Sequence, residues 1–257
     1  MSGLDAEITE DLFLNGKLRL RQPKRGHRAG HDAILLAAAT PARSGDRIAD
    51  FGAGVGAAGL AVARRVPGIE CVLVEIDDTL AELARTNATL NSLDAEVHTL
   101  DVTASAGAFA VTGLAPDSID AVLMNPPFNE GSRHQSSPDA QRQVAHVAQD
   151  DTLARWIHAA RRILKPGGSL TLIWRAEGLG DVLANLRRGF GGIGILPVHP
   201  DATKPAIRVL VSAIKGSGAP MSIRRGLHLV GEDGSASAEA NAALRGQAIA
   251  FVEEGLR

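Results

Sequence analysis

Four consecutive residues, Asn125-Pro126-Pro127-Phe128, have types and an order with a specific chemical use. An exocyclic amine on an aromatic ring is a poor nucleophile, because its lone pair is delocalised into the ring. The Asn125 side-chain oxygen and the Pro126 peptide oxygen can each accept one hydrogen of such an amine. That turns the lone pair out of the ring plane and toward an electrophile. Two prolines stiffen the backbone and hold both acceptors, and Phe128 offers a flat face for stacking. Positioning carries the rate in this scheme, so no strong base is required. The same run also reads as a rigid strand exit with Phe128 in the core, and what comes before it in the chain decides between the two.

What comes before is a glycine turn, Asp50-Phe51-Gly52-Ala53-Gly54-Val55-Gly56, set between a strand-like and a helix-like segment. Glycines there let the backbone turn tightly and let a ligand approach a helix N-terminus. Gly54-Val55-Gly56-Ala57-Ala58-Gly59 also matches the dinucleotide fingerprint, with Glu75 or Asp77 near the distance of a ribose-binding acid. Charge separates the options. Pyrophosphate at this turn would be repelled by Asp50, whereas the ammonium and sulfonium of S-adenosylmethionine would be attracted. Asp50 can equally cap the turn. Glu75 can accept both ribose hydroxyls or be a salt-bridged loop acid. Asp101 can contact an adenine amino group or cap the turn at Thr103. Ile76 and Val102, next to two of these acids, fall in the same candidate cofactor pocket.

These residues need strand ends to hold them, and the hydrophobic pattern supplies strands. Arg47–Phe51, Glu70–Ile76, Glu96–Val102, Ile119–Met124 and Leu170–Trp174 read as strands. Helices are expected at Asp32–Ala39, Ala57–Val66, Thr79–Leu90, Asp151–Leu164 and Leu179–Arg188. Such alternation implies a doubly wound, Rossmann-like α/β fold with a mainly parallel sheet. Ile193–Val198 and Ile207–Ile214 are joined by a link too short for a helical crossover, so they should pair antiparallel at one edge. Upstream, Leu12–Leu20 carries the Asn15-Gly16 signal of a tight hairpin. After Gly216 a short strand and a helix from about Ala236 to Glu253 are expected. The chain then divides into an N-terminal hairpin, basic loop and helix (1–45), a core (46–216) and a C-terminal extension (217–257).

At 257 residues and 45% hydrophobic, the chain can bury a full core. It has no run of about 18 apolar residues, no signal-peptide pattern at its start, and a single cysteine, Cys71. Neither an internal disulfide nor a cysteine metal cluster is possible, and the chain reads as cytoplasmic. His134 and His146 lack metal-ligand partners in the sequence, so no metal is expected. The net charge of -2 hides an asymmetry: Leu12 to His31 contains no acid but Lys17, Arg19, Arg21, Lys24, Arg25 and Arg28. That block suits an anionic partner such as nucleic acid, or is a solvated edge strand.

The series Asp50 to Gly56, Glu75, Asp101, Asn125 to Phe128 resembles class I S-adenosylmethionine-dependent methyltransferases of the amino-methylating type. The resemblance implies a seven-stranded sheet with the last strand antiparallel and helices on both faces. The stretch Gln22 to Leu36 looks like the segment preceding the core in bacterial tRNA adenine-N6 methyltransferases, which belong to the small-domain group and act on an adenine near the anticodon. The likeness runs from about Asp11 to Lys215. His31 departs from it, since relatives commonly carry threonine there. The implied site is Asn125, Pro126, Pro127 and Phe128 on the target amine. His31, Asp50, Gly52, Ala53, Gly54, Glu75, Ile76, Asp101, Val102 and Asn125 would hold the cofactor. Lys24, Arg25, Arg28, Phe128 and Arg133 would hold RNA. Three rivals stay open: methylation of a protein glutamine amide, a nucleotide- or RNA-binding module without catalysis, and a nicotinamide oxidoreductase.

Overall fold

The computed structural model describes residues 8–26, 28–127, 140–231 and 233–251, with side chains for all but 140–151. Phe128, Arg133 and His134 lie outside the described residues, as does the side chain of His146.

A hairpin of β1 (Ile8–Phe13) and β2 (Leu18–Pro23) leads into α1 (His31–Ala39). Then follow β3 (Arg47–Phe51), α2 (Ala57–Arg65), β4 (Glu70–Glu75), α3 (Asp78–Leu90), β5 (Ala95–Thr99), α4 (Ala106–Ala110) and β6 (Ile119–Met124). The second half holds α5 (Ala140–Ile163), β7 (Leu164–Arg175), α6 (Leu179–Leu186), β8 (Phe190–His199) and β9 (Arg208–Lys215). The tail adds β10 (Ser222–Ile223), β11 (Leu227–His228) and α7 (Ala238–Leu244). Seven strands run in the order β5-β4-β3-β6-β7-β9-β8, all parallel except β9, which is antiparallel to both neighbours. The expected seven-stranded core is present. The β8/β9 pair does not end the sheet, however, because β10 and β11 both add parallel to the outer edge of β8 and make nine strands. Covering that edge hides backbone groups that would otherwise invite pairing with another chain.

Side-chain alternation splits the strands between two cores. Ile48, Leu73, Leu123, Ile173 and Leu210 face one, with α1, α2, α3 and the hairpin. Phe51, Val74, Val122, Leu172 and Val211 face the other, with α4, α5 and α6. A period of two on a sheet covered on both faces makes strands nearly all apolar, which is why β4 and β6 were legible. Each buried Leu or Phe stabilises by about 1.5–3 kcal/mol relative to exposure.

Several local expectations change. Helix α5 begins at Ala140 rather than Asp151, and β7 already begins at Leu164 rather than Leu170. The hairpin does not close on a two-residue Asn-Gly turn: Phe13 pairs with Leu18 across a four-residue loop. Leu14 takes φ 52 and is 3% exposed, so burial of its side chain in the core offsets a left-handed conformation costing about 1–2 kcal/mol. The third core strand stops at Thr99, short of Val102. The C-terminal helix stops at Leu244, where Gly246 turns with φ 91. Beyond it the Ile249 N–H donates to the Ala38 carbonyl, and Phe251 packs on Gly194.

The hairpin is fixed to the core by two asparagines four residues apart, Asn87 on α3 and Asn91 at its C-terminal cap. Asn91 accepts from the Arg19 N–H (2.9 Å) and donates to the Arg19 carbonyl (2.6 Å). Asn87 does the same for Arg21 (2.7 and 3.0 Å) and also donates to the Val55 carbonyl (2.9 Å). An i, i+4 spacing on a helix thereby meets the i, i+2 spacing of a strand, and the side-chain amides act as a neighbouring strand for β2.

Candidate active site

Strand register sets the site. Phe51 pairs with Val74 on one side and Met124 on the other. The next residues, Gly52, Glu75 and Asn125, therefore stand in a row at the carboxyl ends of β3, β4 and β6. Open α/β sheets bind ligands there.

Gly52, Gly54 and Gly56 all have positive φ (65, 57 and 87°), so the turn cannot be built readily from L residues with side chains. Each glycine has its own reason. A Cβ at Gly52 would lie 2.5 Å from Cη2 of Trp156 on α5, and one at Gly59 would lie 2.4 Å from Leu73 Cδ2 and 3.2 Å from Asp50 Oδ2. At Gly54 nothing lies within 4 Å. The first two glycines serve close packing, and Gly54 faces open space. The match to the dinucleotide fingerprint thus has a packing origin at Gly59.

Asp50 is 2% exposed, and its Oδ2 accepts from the Gly59 N–H at 2.7 Å. The carboxylate already occupies the N-terminal end of α2, which has no side-chain cap of its own at Gly56. A pyrophosphate would have to share that end with it. Burial pushes the Asp50 pKa up to about 7, and the Glu75 carboxylate adds to the rise against the opposing Gly59 hydrogen bond. A buried acid in this state gains from a cation placed beside it.

Glu75 is 6% exposed and its oxygens are held by backbone. Oε2 accepts from Gly54 N–H (2.7 Å), and Oε1 from the N–H groups of Ile76 and Asp77 (2.9 Å each). It ties the glycine turn to the end of β4. Ile76 beside it is 65% exposed. Asp101 is exposed and accepts from the N–H (2.7 Å) and hydroxyl (2.8 Å) of Thr103, the turn-capping arrangement. Val102 is buried in the core, 4% exposed.

A cavity of about 740 Å³ opens over the row, a size suited to a small-molecule ligand. It brings together His31, Asp50, Gly52, Ala53, Gly54, Asn125, Pro126 and Pro127, and Arg28 at its rim. Glu75, Ile76, Asp101, Val102, Lys24 and Arg25 are not among its lining residues. His31 is both a lining residue and exposed, at the start of α1. Asn125 Oδ1 is buried without a hydrogen-bond partner. A buried acceptor left unpaired costs about 1–3 kcal/mol, which a donor brought by a ligand would recover. With Gly54 open and a near-neutral acid below it, the lining fits a cationic methyl donor. S-adenosylmethionine supplies a methyl group on an electron-poor sulfur.

Arg28 differs from its expected role. Its guanidinium pairs with Asp11 (2.7 Å) and donates to the Thr9 hydroxyl (2.9 Å) and the Pro23 carbonyl, closing the hairpin base. Arg19 and Arg21 lie at 3.6 and 3.5 Å from Glu10. Arg19, Arg21 and Arg28 are thus paired within the hairpin; Lys24 and Arg25 have exposed side chains. Sequence reasoning missed the Asp32–Arg208 ion pair (2.9 Å) among the lining residues and Trp156 beneath Gly52. No local signal reveals a pair 176 positions apart.

Comparison with known proteins identifies the family. The methyltransferase small domain family model matches residues 30–196. A tRNA1(Val) (adenine(37)-N6)-methyltransferase from Porphyromonas gingivalis is 31% identical over 179 residues, 67% of this chain and 68% of the relative. A ribosomal RNA small subunit methyltransferase C from Pseudomonas aeruginosa is 30% identical over 146 residues, 57% of this chain but 37% of the relative. Among solved structures, a predicted O-methyltransferase from Agrobacterium tumefaciens is 33% identical with a TM-score of 0.72, covering 85% of this chain and 98% of that one. A T. thermophilus 16S rRNA N2 methyltransferase held with AdoMet and guanosine shares the fold at 20% identity and TM-score 0.56, covering 81% and 50%. With the family model spanning well over half of the chain, and a cavity lined to take a sulfonium donor, the chain belongs to the methyltransferase small domain family of S-adenosylmethionine-dependent enzymes.

Proposed function

We propose that this protein methylates the exocyclic N6 amine of an adenine in RNA, with tRNA as the substrate. The observation that carries the reading is the unpaired Asn125 Oδ1 in a cavity it shares with Pro126 and Pro127. One amine hydrogen goes to Asn125 Oδ1 and the other to the Pro126 carbonyl. S-adenosylmethionine bound beside them would supply the methyl group to the nitrogen lone pair and leave as the neutral thioether S-adenosylhomocysteine, and the amine proton would pass to solvent after transfer. Phe128, outside the described residues, is the stacking partner in this reading. Asp50 meets the donor's positive charge from below. Glu75 takes the ribose hydroxyls with its remaining lone pairs, and the exposed Ile76 side chain is covered by the adenine of the cofactor. Asp101 and Val102 border that adenine, and His31 stands at the donor's methionine end. Lys24 and Arg25 approach the RNA backbone on the same segment as Gly26, which lines the cavity, and Arg133 joins them.

The tRNA relative from P. gingivalis and the two-thirds coverage of its length support adenine over the guanine amine suggested by the ribosomal relatives. The name of the A. tumefaciens neighbour points instead to oxygen, yet a hydroxyl has one hydrogen and would leave one of the two acceptors idle. The deciding experiment is incubation with labelled methyl donor, bulk tRNA, ribosomal RNA and total protein, followed by nucleoside and amino-acid analysis. N6-methyladenosine from tRNA is expected. Label in guanosine, in glutamine of the protein fraction, or on ribose oxygen would replace this reading.

A further inference from the structure

A second cavity, of about 500 Å³, lies on the other core's outer face, between α5, α6 and the loop that follows Asp101. Its lining includes Arg155, His158, Arg161, Arg162 and Arg188 and, among the described residues, no carboxylate. Arg155, His158 and Arg162 are spaced i, i+3, i+7, so they fall on one face of α5. At 1.5 Å per residue the stripe runs about 10 Å along the helix.

The cations are held rather than loose. Arg161 Nη1 donates to the Arg188 carbonyl at 3.0 Å, and the Arg162 guanidinium lies 4.6 Å over the Phe109 ring. One Arg162 nitrogen, Nη2, is buried without a hydrogen-bond partner, and burial lowers the guanidinium pKa from its usual value. No ion pair joins Arg161, Arg162 or Arg188 to an acid among the described residues. Concentrating like charges costs stability unless an anion relieves it. The neighbouring face of the same helix carries Trp156, which packs on Gly52 in the glycine turn. The groove and the active site thus share one helix.

We infer that this groove is a second docking surface for the phosphate backbone of the RNA substrate, away from the methylated base. The inference rests on the RNA reading above. An RNA long enough to place a base in the active-site cavity and continue past the Asp101–Ala104 loop would lay its phosphates along α5. Guanidinium groups suit phosphate through paired hydrogen bonds.

The test compares the wild-type chain with Arg155→Gln/Arg188→Gln, two exposed positions outside the active-site lining. Binding to a mixture of bulk bacterial tRNA and fragmented ribosomal RNA is measured across salt concentrations, and S-adenosylmethionine binding is titrated alongside. The variant should bind RNA about tenfold more weakly at moderate salt. Its log–log salt slope should fall by about 1.5–2, as for two lost phosphate contacts, with methyl-donor affinity unchanged. Equal RNA affinity and slope in the two proteins overturn the groove while leaving the RNA reading intact, and an acidic protein partner then becomes the fitting occupant. Absence of RNA binding by the wild-type chain overturns the RNA reading and the groove together.

Discussion

Replacing Asp50 by Asn tests the electrostatics of the site without removing the oxygen that accepts from Gly59. In the free protein the buried carboxyl titrates near 7 against an ordinary value of 3.8. The folded state therefore holds its proton more tightly than the unfolded chain. Stability contributed by the neutral acid is fully present below about pH 4 and is lost as pH rises toward 7, above which the loss is complete. A displacement of about three units at 1.36 kcal/mol each amounts to about 4 kcal/mol. Urea unfolding of wild type and Asp50→Asn, between pH 4 and 8, isolates this contribution as a difference curve. The variant should gain on wild type steadily up to pH 7 and run parallel above it. Methyl-donor binding supplies the other half of the cycle. A cation beside Asp50 favours the ionised form, so wild-type affinity should rise with pH by up to tenfold per unit below 7 and then level. The variant should bind more weakly and lack that slope. Parallel stability curves for the two proteins across the whole range would refute the claim that Asp50 is buried at the cost of its charge.

Three further outcomes follow from the same geometry. Asn125→Ala removes one of two amine acceptors, so kcat should fall at least ~100-fold, about 3 kcal/mol, while methyl-donor affinity measured by calorimetry stays within a few-fold; near-normal turnover would remove Asn125 from the reaction. Asn87→Ala leaves the Arg21 N–H, the Arg21 carbonyl and the Val55 carbonyl without their partner; at roughly 1–3 kcal/mol for an unsatisfied buried group, unfolding free energy should drop by about 2–4 kcal/mol, and a loss under 1 kcal/mol would mean water replaces the amide. Gly54→Ala puts a methyl into open space at φ 57; strain of about 1–2 kcal/mol should lower stability modestly, whereas methyl-donor affinity should fall by more than tenfold because the methyl enters the cavity.

How far the sequence could be read depended on the range of the interactions involved. Strands β3 and β6 were legible to the residue because burial on both faces makes them mostly apolar, with only Arg47, Asp50 and Asp120 breaking the runs. The glycine turn was legible because three left-handed conformations leave few alternatives to glycine. The boundaries that failed were set by tertiary contacts. Leu14 reshaped the hairpin loop by entering the core, and β5 ended at Thr99, ahead of the turn that Asp101 caps at Thr103. Charge was the least legible property. Six cations in a block with no acid look like one surface, yet Glu10 and Asp11, just upstream in the same hairpin, pair with three of them.

The site itself was legible in its order and not in its depth. Chain order placed a glycine turn, two acids and an amide at successive strand ends, which parallel topology then brings into one row. Depth depends on which neighbour claims each polar atom, and the acids divide on that basis. Asp101 lies on a loop beyond its strand and satisfies its own turn. Glu75 and Asp50 sit within the row, where backbone N–H groups hold them in place but leave lone pairs over. Asn125 Oδ1 is a buried acceptor with nothing bound to it. Folding energy does not explain that vacancy, since a buried orphan acceptor is destabilising. Two prolines beside a buried acceptor without a partner keep a hydrogen-bond position available to a donor from a bound molecule, and under the function proposed above that donor is a nitrogen with two hydrogens.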